Sequence, residues 1–293
     1  MRFFQSDRKP LIYTRMFGGM GNQLFQYSAG RSLADKLGCD LAIDTRYLKK
    51  LNRANCMPHF ANARYLENSS LPPFKRDNLL KYASWRLLPS KPNFHRESAP
   101  GFNPDLLRQP AGTYLHGYWQ SERYFKDISD KLRNDLTFTT SLTGANADMA
   151  SMIGSSANPV GVHFRRSDYL GIDAFASCPG DYYASALDHV AVNSRPLPPP
   201  TCFVFSDDPD WVAKNVSLGF ETVPVDINSI ENGHFDLHLQ SLCKHNIIAN
   251  STFSWWGAWL NPNPDKIVVG PAKWFKNDNL ENPDIYPNDW VAL

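Results

Sequence analysis

The sequence has no long apolar run. Nowhere do about 18 hydrophobic residues follow one another, so no transmembrane helix is expected. Excess charge is also missing: Lys+Arg number 30 against Asp+Glu 29, a net charge of +1. That excludes a global basic field able to hold nucleic acid, so any anion must be gripped by a local constellation. Cysteine is scarce, and Cys39, Cys56, Cys178, Cys202 and Cys243 are scattered, odd in number and never in a C-x-x-C pair. Neither a disulfide framework nor a cysteine zinc site is expected, and a reducing, cytoplasmic setting fits. The opening MRFFQSDRKP is too charged to read as a secretory signal. No internal repeat is visible, and no spacing supports a Ser/His/Asp triad or a Cys/His nucleophile pair. What remains is ordinary globular material: 293 residues, 42% hydrophobic and 20% charged, enough for one large domain or two medium ones.

Strands alternate with helices along most of the chain. Residues 11–13 read as a strand, GGMGNQ as a turn, 24–37 as a helix stopped by Gly38, and 41–43 as a second strand ending at Asp44. Residues 52–103, rich in Pro, Asn, Ser and aromatics, read as loops and short helices. Further strands are expected at 160–164, 202–205, 222–225, 246–249 and 266–269, with helices at 181–192, after Pro209, at 234–244 and from Thr252. This alternation predicts parallel sheets covered on both faces. The polar stretch 139–158 is the expected boundary between an α/β domain over 11–138 and a Rossmann-like domain over 159–293.

Ligands of open α/β sheets bind just past the strand carboxyl ends, and four polar clusters fall there. In Gly18-Gly19-Met20-Gly21-Asn22-Gln23, glycines let backbone N–H groups approach an anion at a helix start, although a plain βα turn explains them equally. Asp44, about 20 residues on, suggests a dinucleotide fingerprint, but bulky Leu24 occupies the sixth position of that pattern. His163-Phe164-Arg165-Arg166-Ser167-Asp168 places two arginines at a strand end. Guanidinium groups there suit a diphosphate, with a structural Arg–Asp pair as the alternative. Ser206-Asp207-Asp208-Pro209-Asp210 offers carboxylates for a base edge, a ribose or a metal, or simple helix-capping acids. Asn250-Ser251-Thr252-Phe253-Ser254 makes a second helix-start cradle, and the aromatic run through Trp259 reads as core packing. His234 and His238 stand at i,i+4 without the glutamate of a zinc-protease motif and read as helix surface or core.

The segments MFGGMGNQLFQYSAGRSLA, HGYWQSERYF, GVHFRRSDY, VFSDD and LCKHNIIANSTFSWWGAWL occur in this order between residues 16 and 260. Together they closely resemble the bacterial α-1,2-fucosyltransferases of glycosyltransferase family eleven. The resemblance implies an α/β chain of two Rossmann-like domains, GT-B-like, with the active site in the interdomain cleft and the acceptor on the N-terminal side. It implies inverting transfer of L-fucose from GDP-fucose to a galactoside 2-hydroxyl, with no cofactor and no metal.

By that resemblance Arg165 binds the β-phosphate, Asp168 braces the loop and His163 lies near the guanosine, with Arg166 beside them. Asp207 or Asp208 holds the guanine edge, while Ser251, Thr252 and Phe253 line the diphosphate and base. Gly19, Gly21, Asn22 and Gln23 reach the donor from the first domain. Arg165 and Asp168 are the expected catalytic pair, and Asp44 is a candidate general base. Expected partners are GDP-fucose and a galactose-terminated oligosaccharide, with no nucleic acid and at most peripheral contact with the inner face of a membrane. Two rivals stand beside this reading. An NAD-dependent oxidoreductase explains Gly19, Gly21 and Asp44 but leaves the arginine pair idle. A non-catalytic sugar-binding protein explains eight tryptophans but not two phosphate cradles.

Overall fold

In the computed structural model, residues 10–67, 71, 73, 79–87, 93–166, 178, 180–275, 277 and 280–293 are described. The chain divides into two compact units, Met1–Thr137 and Phe138–Leu293.

The first unit is built from β1 (Leu11–Arg15), α1 (Met20–Leu37), β2 (Asp40–Asp44), α2 (Arg46–Lys50), β3 (Leu66–Glu67), α3 (Leu79–Arg86), β4 (Asn93–Arg96), β5 (Thr113–His116) and α4 (Ser129–Asp135). Its strands lie parallel in the order β3-β2-β1-β5-β4, with Leu11 opposite Asp40 and Tyr13 opposite Tyr114. Short β-rich runs survive here because α1 covers them. Ile12, Leu24, Phe25, Leu33, Ile43 and Leu115 are fully buried, and each such side chain contributes about 1.5–3 kcal/mol of burial. Gly38, at φ 63°, ends α1 in the left-handed conformation that a Cβ disfavours.

The second unit holds α5 (Ala145–Ser155), β6 (Pro159–Phe164), α6 (Gly180–Asn193), β7 (Thr201–Ser206), α7 (Pro209–Asn215), β8 (Glu221–Val225), α8 (Gly233–Leu242), β9 (His245–Ile247), α9 (Thr252–Leu260), β10 (Val268–Gly270) and β11 (Val291–Ala292). The parallel order β11-β10-β9-β6-β7-β8, counted from β6 as first, is the 3-2-1-4-5-6 arrangement of a Rossmann sheet. All six residues of β6 are buried, as expected of a strand covered on both faces. Val160, Val162 and Phe164 pack with Tyr183 and Leu187, whereas Phe203, Phe205 and Val225 pack with Ile153, Leu239 and Cys243.

Several sequence expectations shift. The helix expected from Leu24 begins at Met20, so Gly21, Asn22 and Gln23 lie inside its first turn. Residues 52–103 are not only loops and helices, because β3 and β4 fall within them, and β5 follows unforeseen. These strands are only two to four residues long, too short to print a period on the sequence. The polar stretch 139–158 contains α5, whose Ile153 packs with Leu239 of α8.

Candidate functional site

Chain order in the second sheet reverses between β6 and β9, and open α/β sheets hold ligands beyond the strand ends at such a point. β6 delivers His163 there and is followed by Arg165 and Arg166. β9 leads through Asn250 into α9, with Ser251 as its N-cap. The His163 ring lies 5.7 Å from the Phe253 ring, so the two strand exits meet. A Cβ placed on Gly233 would stand 3.8 Å from Phe253, which brings the start of α8 to the same spot.

Asp207 organises the arginines. Its carboxylate accepts the Arg166 backbone N–H at 2.8 Å and lies 3.4 Å from Arg165 Nε. Asp207 thus braces the arginine loop from the neighbouring strand; Asp168, expected to brace the same loop, lies outside the described residues. Arg166 packs against α7. Its guanidinium carbon sits 3.3 Å from the Trp211 ring centroid, and its Nε lies 3.5 Å from Asp208. Asp208 caps α7 by accepting the Trp211 N–H at 3.3 Å. Both carboxylates therefore serve the loops, and the helix-capping alternative describes Asp208. Arg165, with 27% of its side chain exposed, keeps the most accessible guanidinium of the pair.

His163 is buried. Burial first, and the positive charge of Arg165 second, push its imidazole down to about 3, against the pull of Asp207, so the ring is neutral. Its Nδ1 has no hydrogen-bond partner among the described residues, although Tyr183 donates to its backbone oxygen at 3.1 Å. A buried polar atom left open at a strand end is costly unless a ligand answers it. Ser251 is buried and its hydroxyl makes no capping bond to α9, so the first-turn N–H groups of that helix keep their capacity to donate. Trp255, Trp256 and Trp259 are core, with the Trp255 indole donating to the Ile285 oxygen at 2.7 Å. His238 stacks on Phe138 at 4.2 Å, and burial lowers its pKa.

The glycine-rich segment forms the turn from β1 into α1. The left-handed conformation belongs to Gly18 (φ 80°), where a Cβ would strike Asn22, while Gly19 is extended at φ −74°. Gln23 is buried, and its amide holds the fold. It donates to the oxygens of Gly18 at 3.1 Å and Ala54 at 3.0 Å, and accepts the Cys56 N–H at 3.0 Å. Asn22 accepts a hydrogen bond from Gln120 at 2.8 Å. Asp44 is unsuited to act as a base. It is fully buried, paired with Arg46 at 2.8–2.9 Å, and accepts the Tyr114 hydroxyl at 2.7 Å. Burial opposes its ionisation, but these partners hold its carboxyl below the usual range.

One residue escaped the sequence reading. Asp236, in the first turn of α8, accepts from Asn228 at 2.7 Å, and Asn228 exchanges hydrogen bonds with Asn146. Burial, with Asp226 adding to it, raises its carboxyl to about 6. Only its place on the helix that approaches Phe253 marks it out, and no local pattern announces that. Among the described residues no group of three or more His, Cys, Asp or Glu stands together as a metal site.

Comparison with known proteins bears on this geometry. The profile described as Glycosyl transferase family 11 matches residues 97–293. The alpha-1,2-colitosyltransferase of Escherichia coli is 30% identical over 97% of this chain and 99% of its own length. The O-antigen biosynthesis glycosyltransferase WbnK of Escherichia coli is 30% identical over 96% of this chain and all (100%) of its own. Among solved structures, fucosyltransferase NodZ from Bradyrhizobium superposes with a TM-score of 0.56 at 17% identity, over 87% of this chain and 93% of its own. That likeness supports the two-Rossmann α/β fold and bears on nothing finer.

Proposed function

Because the chain belongs to glycosyl transferase family 11, we propose that it transfers L-fucose from GDP-fucose to the 2-hydroxyl of a terminal galactoside, with inversion and without a metal. Family membership makes the chain a glycosyltransferase drawing on a nucleotide sugar. The observation that carries the finer reading is the meeting of His163 and Phe253 at the reversal point of the second sheet, where Arg165 leaves β6 and α9 begins with an open start. In this reading the anomeric C–O bond to the diphosphate breaks while the acceptor oxygen bonds to the opposite face of the sugar. Negative charge grows on the β-phosphate as the sugar becomes oxocarbenium-like. Arg165 and the N–H groups of Thr252 and Phe253 stabilise that charge, and a donor of this kind contributes about 3–4 kcal/mol to the barrier reduction.

Phe253 and neutral His163 then flank the nucleoside. Asp207 and Asp208 are engaged elsewhere, so Asp236, one helical turn from Gly233, is the acid we assign to the N–H donors of a guanine edge. The unit over 11–138 takes the acceptor and that over 159–293 the donor. Fucosyl transfer finds support in the ordered family segments, and the α-1,2 linkage in the colitosyltransferase relative. The same relative, by its name, supports colitose as a second sugar that could be transferred. Five free thiols suit a reducing, cytoplasmic setting, and no helix among the described residues is long and apolar enough to cross a membrane.

The test is incubation of GDP-fucose or GDP-colitose with lactose and other β-galactosides, followed by NMR of the product linkage. An α-1,2-fucosyl galactoside is expected. A product formed from GDP-colitose alone corrects the donor, and a different linkage corrects the acceptor position. No transfer from either donor contradicts the reading.

A further inference from the structure

The first sheet also reverses chain order, between β1 and β5, and the turn leaving β5 there is held in an unusual way. Glu97 extends the β4–β5 ladder, its N–H donating to the His116 oxygen at 3.0 Å. Its carboxylate then reaches over the turn and accepts two backbone N–H groups, from Tyr118 at 2.6 Å and Trp119 at 2.9 Å. Among the described residues Trp119 is one of two non-glycines with positive φ, at 56°, a conformation that persists only where the surroundings impose it. Its indole is buried, stacked on His95 at 5.7 Å and edge-on to Tyr124 at 5.7 Å. Position 117 must be glycine, because a Cβ there would run into Glu97 and the Trp119 indole.

The consequence of this clamp is the stance of Tyr118. Tyr118 is 43% exposed, and its ring is backed by Phe17 at 4.7 Å, which itself packs against His116 at 5.7 Å. Arg15 has only donors, so His116 Nε2 accepts from it at 3.4 Å and the ring proton sits on Nδ1. Burial and the charges of Arg15 and Arg96 push that imidazole down to about 4, so the group beside the platform is neutral. An exposed aromatic face on a rigid backing, next to a neutral donor, suits the C–H face and hydroxyls of a sugar ring rather than a phosphate. The same turn sends Gln120 to Asn22 at 2.8 Å, which ties the platform to the first turn of α1.

We propose that Glu97 is a positioning residue for the acceptor: its carboxylate holds the 117–120 turn so that Tyr118 stands as the stacking platform for a pyranose ring of the acceptor saccharide. This assignment rests on the transferase reading and adds a substrate class and named residues to its acceptor side.

The test uses the full chain and the β-galactoside that the wild type fucosylates best. Glu97→Gln replaces one of the two accepting oxygens by an NH2 group. It is expected to raise the acceptor KM tenfold or more, while the donor KM and the thermal stabilisation by GDP stay within twofold. Tyr118→Ala is expected to raise the acceptor KM by a similar factor, and Tyr118→Phe, which keeps the ring, to recover most of that loss. The double variant Glu97→Gln/Tyr118→Ala is expected to be no worse than Tyr118→Ala within twofold, because both act through one platform. An unchanged acceptor KM in Tyr118→Ala overturns the proposal even if Glu97→Gln fails to fold. So do multiplying effects in the double variant, or equal rises in donor and acceptor KM in Glu97→Gln, which mark a merely structural role. A wild type that transfers from neither GDP-fucose nor GDP-colitose to any galactoside overturns the transferase reading first, before a variant is made.

Discussion

Where the second sheet reverses chain order, between β6 and β9, its strand ends carry Arg165 and the open start of α9. Where the first reverses, between β1 and β5, they carry Phe17, Tyr118 and an Arg15 tied to Tyr114 and His116. Both sheets are parallel and both gather their loops at the same kind of point, yet one edge presents arginines paired with Asp207 and Asp208 beside an open helix start, and the other presents aromatic rings with Tyr118 exposed. Topology therefore sets where the loops gather, and in the proposed reading the residues at the strand ends decide which ligand each edge takes. The difference extends to how each edge is braced. Asp207 steadies the arginine loop with one carboxylate shared between a backbone N–H and a guanidinium, whereas Glu97 gives both oxygens to backbone N–H groups.

The largest effect that separates the two edges is expected from Arg165→Ala. Losing a donor aimed at the leaving diphosphate should lower kcat by about 10²–10³-fold, with circular dichroism unchanged. Turnover within tenfold of wild type would break the assignment of the anion to the second unit. Next comes Asp44→Ala in the first unit, which should change stability rather than chemistry. Removing one partner of a fully buried pair costs about 3–5 kcal/mol, and Arg46 is 29% exposed, so about 2–3 kcal/mol is expected in urea unfolding. Lost turnover in a protein of wild-type stability would restore Asp44 as a candidate base.

Acidification gives a third contrast. His163 titrates at about 3 in the fold and 6.5 when exposed, so the unfolded chain binds the extra proton between those values. Its contribution to stability is complete above pH 6.5 and is lost as pH falls towards about 3, by up to about 1.4 kcal/mol per pH unit. His163→Gln should flatten that part of the stability–pH curve, and an unchanged slope would show the imidazole is not held neutral. Asp208→Ala should cost about 1 kcal/mol as a lost helix cap, with GDP affinity unchanged within threefold. A large drop in GDP affinity would make Asp208 a ligand contact after all. The smallest effect is that of EDTA, for which wild-type transfer rates are expected. Loss of activity restored by Mg²⁺ or Mn²⁺ would contradict the metal-free reading.

The two edges are also unequally legible in the sequence. In the second unit each strand end and the residues it presents are contiguous, so HFRRSD, SDDPD and NSTFS can be placed on loops beside a sheet from residue order and spacing alone. What contiguity could not tell was which carboxylate does what, because Asp207 and Arg165 meet only across two strands. In the first unit the edge is assembled from residues 15–17, 47, 97 and 116–120, drawn from four separate segments. Two of those segments border strands of four residues, where alternation is too brief to read. Glu97 had no pattern at all: its meaning lies in the two N–H groups it accepts from a turn about twenty residues further along the chain.

The claim that the second unit's reversal point holds a guanosine diphosphate is met most directly by a thermal-shift panel in EDTA. GDP, GDP-fucose, UDP, ADP and NAD are compared on the wild type and on Arg165→Ala. A ligand present at 100 times its dissociation constant adds about 2.7 kcal/mol of stability, enough to be read clearly. The account predicts stabilisation by GDP and GDP-fucose alone, most of it lost in Arg165→Ala. Stabilisation by NAD alone, or by GDP equally in both proteins, would contradict it.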